Sequence, residues 1–354
     1  MLRDGGGLRH GRAMMAQESA RPLSVPGRLA TSREFSVVVV LILLGVLMLF
    51  SPAREAFYGS RNLQNIALQV SLLGIFAIGE TVVILTGGID LSLGSLLAFT
   101  GMLVALFTVT LDQTLVAGAA MALASVLTLA IALLIGSLHA TLIHRLRLPA
   151  FVVTLASLLI LRSQSLVMNR RQPIPIPADR YPFFTWLANG KLFEDTPFAI
   201  PIPTVILVIV AVGMHVVLTR TQMGRYLYSV GSNEQATRLS GVNVYRVKLF
   251  AYGASAFLGG LAGILWAGYG GQGDPQTGTA YELDAVAAAV VGGASLSGGQ
   301  GSVIGTVIGA CLLHAIFSAI NLNLSEPTLW RGTVVGGVLL LAVLTTALQQ
   351  RRAG

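Results

Sequence analysis

The stretch Thr86-Gly87-Gly88-Ile89-Asp90-Leu91-Ser92-Leu93-Gly94-Ser95 separates two apolar runs where a simple membrane anchor would continue. Gly87 and Gly88 disfavour helix, because glycine loses the most backbone freedom on folding. Asp90 puts a carboxylate at or near the bilayer, which is costly unless it is paired or faces water. Non-helical backbone at membrane depth is tolerated where protein buries it or where it lines an aqueous cavity. The stretch therefore points to a transport path rather than to an anchor.

The composition agrees. Hydrophobic residues make up 54% of the 354-residue chain and charged residues 11%, which excludes an ordinary soluble domain. The expected fold is all-α, a polytopic transmembrane helical bundle of about ten spans with Gly-interrupted segments. A span needs about 20 residues, which leaves little chain for a folded extramembrane domain. The single cysteine, Cys311, lies in an apolar run, so no disulfide framework and no cysteine-based metal site are expected. The net charge of +8 invites a nucleic-acid reading, but the basic residues flank apolar segments, as membrane topology requires.

Residues 1–34 are polar and basic and read as a disordered cytoplasmic tail. Residues 35–348 read as the transmembrane domain, with spans at 35–50, 66–86, 92–110, 115–140, 150–168, 202–219, 249–268, 284–297, 300–320 and 331–348. The eighth is short. Residues 349–354 form a second cytoplasmic tail. With both termini inside, the cytoplasmic segments hold 15 of the 23 Lys and Arg residues, the bias expected of inward-facing loops. The external loop 169–201 carries Pro173, Pro175, Pro177, Pro182, Pro197 and Pro201 and reads as an extended, stiff cap.

The motif Gly87-Gly88-x-x-Leu91-Ser92-x-Gly94 is echoed by Gly292-Gly293-x-x-Leu296-Ser297-x-Gly299. Gly-interrupted segments in matching positions point to a transporter's site, although a chain with 40 glycines also produces echoes by chance. Both copies fall on the same side, so one short segment is re-entrant or the echo is fortuitous. Candidate pathway and gating residues are Glu80, Gly87, Gly88, Asp90, Ser92, Gly292 and Gly293. Glu80 lies inside an apolar run, where an ionised side chain costs about 2.5–3.5 kcal/mol. It faces a cavity, or it makes a structural hydrogen bond. Asp90 contacts substrate, or it caps the helix that follows. Arg162 snorkels to the interface or pairs with an acid. Gly259 and Gly263, and Gly301, Gly305 and Gly309, have the spacing that lets helices approach closely.

A cytoplasmic segment at 224–243 has its own signals. Ser232 or Asn233 can cap a short helix and Gly241 can end it. Glu234 and Arg238 then lie at i,i+4. A short capped helix outside the membrane suits contact with another subunit. Gly231, Asn233, Glu234, Ala236, Arg238, Leu239, Ser240 and Gly241 are its candidate contact residues. There is no G-x-x-x-x-G-K-[ST] loop for ATP. The five histidines show no metal spacing, and no catalytic nucleophile motif stands out. Neither enzyme activity nor a cofactor of the chain's own is expected.

Three motifs together resemble one family. Val82-Val-Ile-Leu-Thr-Gly-Gly-Ile-Asp-Leu-Ser92, Gly231-Ser-Asn-Glu-Gln-Ala-Thr-Arg-Leu-Ser-Gly241-Val and Val291-Gly-Gly-Ala-Ser-Leu-Ser-Gly-Gly-Gln-Gly-Ser302 are similar to motifs of the permease subunits of ATP-binding-cassette sugar importers, ribose/xylose/rhamnose-type branch. Ala156 and Ser163 stand where that family has glycine, and Thr237 where it has alanine. The resemblance implies import of a monosaccharide, a pentose or a deoxyhexose such as rhamnose, across the bacterial inner membrane. It implies a cytoplasmic ATPase that binds the ATP and grips 224–243, a periplasmic sugar-binding protein, and a second permease chain. Trp266, Tyr269 and Phe99 are candidate sugar-facing aromatics. An autoinducer-like furanosyl compound or a nucleoside is an alternative substrate. Other readings are an ion-coupled carrier using Glu80 and Asp90, and a scaffold without transport.

Overall fold

The computed structural model describes residues 33–353 except 195, 197 and 198. Most of the expected 1–34 tail therefore lies outside the described residues. The chain is helical almost throughout. Helix α1 (Arg33–Leu49) and the short α2 (Arg54–Tyr58) precede α3 (Ser60–Leu85), α4 (Leu93–Leu111), α5 (Ala117–Arg145) and α6 (Ala150–Met168). A small helix, α7 (Pro182–Asn189), leads to α8 (Ile202–Arg220), α9 (Gln222–Ser232), α10 (Glu234–Leu239) and α11 (Val244–Gly270). Then come α12 (Tyr281–Val291), α13 (Val303–Asn323) and α14 (Pro327–Ala353).

Among the described residues, seven helices (α3, α4, α5, α6, α8, α11 and α13) are long and apolar enough to cross a membrane, and α1 and α14 carry shorter apolar stretches. Burial sorts them into two shells. In α3, 89% of the most apolar stretch is buried, against 22% in α6 and in α8. The outer helices turn Leu134, Leu159 and Ile209 outward, as a lipid-facing surface requires. The inner group α3, α4, α11 and α13 approaches closely through small residues. Gly259 sits against Leu93 and Leu96, Gly309 against the Ala288 backbone of α12, and Gly305 against Gly292 just after it. Gly301, by contrast, lies before α13 rather than in it.

Two sequence expectations change. The span expected at 284–297 is an 11-residue helix, α12, about 16 Å long at 1.5 Å per residue and too short to cross. It begins inside the bundle, and the loop that follows it bonds the end of α3 through the Gly299 amide. The 169–201 loop is not wholly extended: Pro182 occupies the first turn of α7, where a missing N–H costs nothing. Two short antiparallel ladders fix that loop, β1 (Ile174–Pro175) with β4 (Gln272–Gly273) and β2 (Lys191–Leu192) with β3 (Ile200–Pro201). Arg180 also pairs with Asp112 at the end of α4, at 2.8 Å. The face bearing residues 169–201 is here termed the far face, and the face bearing 220–243 the near face.

Candidate functional site

Helix α3 ends at Leu85 because the chain turns left-handed at Gly87 (φ +78°). The Gly87 amide bonds the Ile84 carbonyl (2.9 Å) and the Gly88 amide bonds that of Val83 (3.3 Å), the paired bonds of a Schellman cap. Helix α12 ends in the same way. Gly293 has φ +100°, its amide bonds Val290 (3.0 Å), and the Ala294 amide bonds Ala289 (2.9 Å). The structural equivalent of Gly87 is thus Gly293, one position off the register of the sequence echo. Gly292 is the last turn's cap and lies against the Gly305 carbonyl of α13. The two breaks also touch: the Gly299 amide donates to the Leu85 carbonyl at 3.0 Å.

After Gly88 the chain turns back along α3. Glu80 accepts the Asp90 amide on both carboxylate oxygens, at 3.2 and 3.3 Å. Asp90 in turn accepts the Ser92 amide (3.0 Å) and hydroxyl (2.6 Å), and the Ser255 hydroxyl of α11 (3.2 Å). Asp90 therefore closes a local turn and ties it to α11. It does not cap α4, whose first residue is Leu93 and whose cap position is Ser92. Thr154 of α6 donates to the Ile89 carbonyl at 3.1 Å. Glu80, Asp90 and Ser92 are fully buried, and their oxygens hold a returning backbone segment that would otherwise leave amides unsatisfied inside the bundle.

Arg162 does not snorkel, and it makes no ion pair within bonding distance among the described residues. Its guanidinium donates to the carbonyls of Pro275 (3.0 Å), Thr277 (2.8 Å) and Gly94 (3.3 Å). It clamps the loop ahead of α12 onto the start of α4.

On the near face, Asn233 caps α10 with its side chain, accepting the Ala236 amide at 2.8 Å. The helix ends at Ser240, and Gly241 turns left-handed at φ +86°. Glu234 pairs with Lys248 at 2.8 Å rather than with Arg238. The i,i+4 spacing loses to a lysine that α11 delivers from outside the short helix. Leu239 is 79% exposed, an apolar side chain projecting from a charged helix. Gly231 sits where a Cβ would collide with the Leu85 carbonyl and the Gly299 amide. Tyr228 of α9 donates to the Gly301 carbonyl at 2.9 Å. The α9–α10 segment is thus seated directly on both helix breaks.

Toward the far face lies a cavity of about 450 Å³, within the usual range for small-molecule sites. One wall is a polar stripe on α3, Asn62, Asn65 and Gln69. Aromatic rings face that stripe: Trp266 stands edge-on to Tyr281, with centroids 5.3 Å apart, and Tyr269 and Phe317 join them, with His314 and Asn321 also in the lining. Arg331 of α14 lies over the rings of Tyr281 (4.7 Å) and Phe317 (5.0 Å) and is ion-paired with buried Asp284. The cavity therefore presents aromatic faces and neutral amides, with its arginine charge compensated. Of the candidate aromatics, Trp266 and Tyr269 line it, whereas Phe99 packs against the core.

Glu80 and Asp90 line neither this cavity nor a second one, which opens on the near face beside Gly87 and Gly88. The stripe Asn62, Asn65, Gln69 was readable as amides at i, i+3 and i+7, one helical face. The contributions from α12, α13 and α14 had no local signature.

Comparison with known proteins agrees over nearly the whole chain. Residues 62–344 match the family described as the branched-chain amino acid transport system / permease component. The chain is 38% identical over 310 residues to the ribose import permease protein RbsC of Escherichia coli K12, covering 87% of this chain and 92% of that protein. It is 36% identical over 311 residues to RbsC of Haemophilus influenzae (87% and 91% covered). It is 29% identical over 370 residues to the xylose transport system permease protein XylH of E. coli K12 (89% and 92% covered). No solved structure matches it significantly. The chain belongs to this family of transport-system permeases and is a multi-pass membrane protein.

Proposed function

From that membership, we propose that the chain is the membrane-spanning permease subunit of an ATP-binding-cassette importer that brings a monosaccharide into the cytoplasm. The observation that carries the substrate class is the far-face cavity. A sugar offers C–H faces to aromatic rings and hydroxyls to amides, and Trp266, Tyr281, Asn62, Asn65 and Gln69 supply both. A zwitterionic amino acid, which the family description also admits, would need an uncompensated charge, and Arg331 is already paired with Asp284. The ribose and xylose permeases among its relatives favour a pentose, and a deoxyhexose would meet the same chemistry.

The far face then opens to the periplasm and receives a sugar-binding protein. The near face and both termini lie in the cytoplasm of a bacterium whose inner membrane holds the chain. A separate ATPase binds the ATP and grips α10, with Leu239 as its apolar contact. A second permease chain completes the pathway. The chain needs no cofactor of its own. Motion of α9–α10 is passed through Gly231 to the ends of α3 and α12, because no side chain lies between them. Nucleotide drives transport only if it favours one pathway conformation over the other.

Reconstitution into proteoliposomes with the partner ATPase and binding protein tests this reading. Labelled ribose or xylose should accumulate only with ATP and both partners present. Trp266→Ala should slow uptake at least about tenfold while leaving ATPase co-purification intact. Uptake driven by an ion gradient without the ATPase would overturn it in favour of a carrier.

A further inference from the structure

The near-face cavity, about 490 Å³, has a different character from the far-face one. Arg147, Arg238, Lys248 and His144 converge on it. Glu234 is the acid in its wall, and it is taken up by Lys248 at 2.8 Å. Arg147 and Arg238 are left without a carboxylate partner among the described residues. Solvated basic side chains at a membrane edge need no shared cavity, and here they share one with a buried phenol. Tyr252 is 1% exposed and lines the cavity. Its hydroxyl ends against Gly88 and has no hydrogen-bond partner among the described residues. The hydroxyl opens into the cavity, where a ligand oxygen can accept its proton.

The mouth borders the lipid-facing surface. Leu146 precedes Arg147 and Phe151 lies four residues after it, and they are 62% and 54% exposed. Helix α6, which begins there, is among the least buried in the bundle. A ligand seated in the cavity can carry acyl chains along this apolar lip.

We propose that this cavity binds the phosphate of an anionic phospholipid. The two guanidiniums take the non-bridging oxygens through charge-assisted hydrogen bonds, the Tyr252 hydroxyl donates a third, and the acyl chains lie over Leu146 and Phe151. A zwitterionic headgroup is disfavoured, because its ammonium would enter a cavity that already carries excess positive charge. The lipid would join Arg147, next to the α5–α6 turn, to Arg238 on α10, across the Thr86–Gly88 wall. The ATPase-binding helix would then sit on a lipid as well as on the protein.

The test uses the purified full chain, stripped of lipid in detergent. It is titrated with short-chain phosphatidylglycerol, short-chain phosphatidylcholine and inorganic phosphate, read by native mass spectrometry and thermal shift. Phosphatidylglycerol should bind, and Arg147→Gln and Tyr252→Phe should each weaken it at least about tenfold for Arg147 and about threefold for Tyr252. Arg145→Gln, whose guanidinium lies over the Tyr245 ring instead, should bind as the unaltered chain does. Tyr252→Phe keeps the ring and so serves even if Arg147→Gln folds poorly. Equal binding by all variants, or an equal loss in Arg145→Gln, would overturn the site. Displacement by inorganic phosphate at comparable concentration would overturn the lipid assignment in favour of a soluble phosphoester.

Discussion

The two helix breaks leave their helices through the same cap and then diverge. After Gly87 the chain returns along α3 and is fastened by Glu80, Asp90, Ser92 and Ser255, all buried in the interior. After Gly293 it stays at the near face, where the Ser295 amide bonds the Gln300 carbonyl at 2.9 Å. It re-enters α13 through the Ser302 cap on Gly305, at 2.9 Å. The first break is a carboxyl latch inside the bundle. The second is a neutral loop against which α9 is seated. The difference teaches where movement can be delivered: a push on α9–α10 reaches the second break directly, while the latch holds the first against α11.

The largest expected effect breaks both at once. Gly231→Val drives a branched side chain into Leu85 and Gly299 backbone, and uptake should fall at least about tenfold while the ATPase still co-purifies. Normal uptake would show that the seat is not tight. Next, Glu80→Ala removes the acceptor of the buried Asp90 amide. It should lower stability by about 1–3 kcal/mol, read as thermal unfolding in detergent, whereas Glu80→Gln keeps an acceptor and should lose less. Equal losses would mean that Glu80 acts as a charge rather than as a latch. Gly87→Ala and Gly293→Ala each force an L-residue into a left-handed turn. Each should cost about 1–2 kcal/mol, and the two values should match if the caps are equivalent. The smallest effect is Thr306→Val, which removes the 2.6 Å contact to the Thr81 hydroxyl of α3. It should cost about 0.5–1.5 kcal/mol and leave uptake intact.

Local signals carried part of this fold. The caps at Asn233 and Gly241 and the break at Gly87 follow from residue types a few positions apart, so the near-face helix and the interrupted span were readable in the chain. The role of Arg162 was not, because its acceptors are carbonyls of residues 94, 275 and 277, and carbonyls leave no trace in residue identity. Glu234 misled for the same reason, since its partner Lys248 lies beyond the helix that carries it. The far-face cavity draws on five helices, and only the α3 stripe has a spacing of its own. The echo was real in kind and displaced by one residue, because a Schellman cap fixes the glycine after the cap position rather than the first glycine of a pair.

The transmission of motion through Gly231 is open to direct measurement. In a Cys311→Ser background, spin labels at Gln235 on α10 and Gln300 in the second break are measured in the complex with its ATPase, with and without ATP. A second pair joins Gln235 to Thr110, near the far end of α4. The Gln235–Gln300 distance should stay constant while the Gln235–Thr110 distance changes with nucleotide. A Gln235–Gln300 distance that shifts with nucleotide would contradict the account, because the coupling helix would then move without carrying the break.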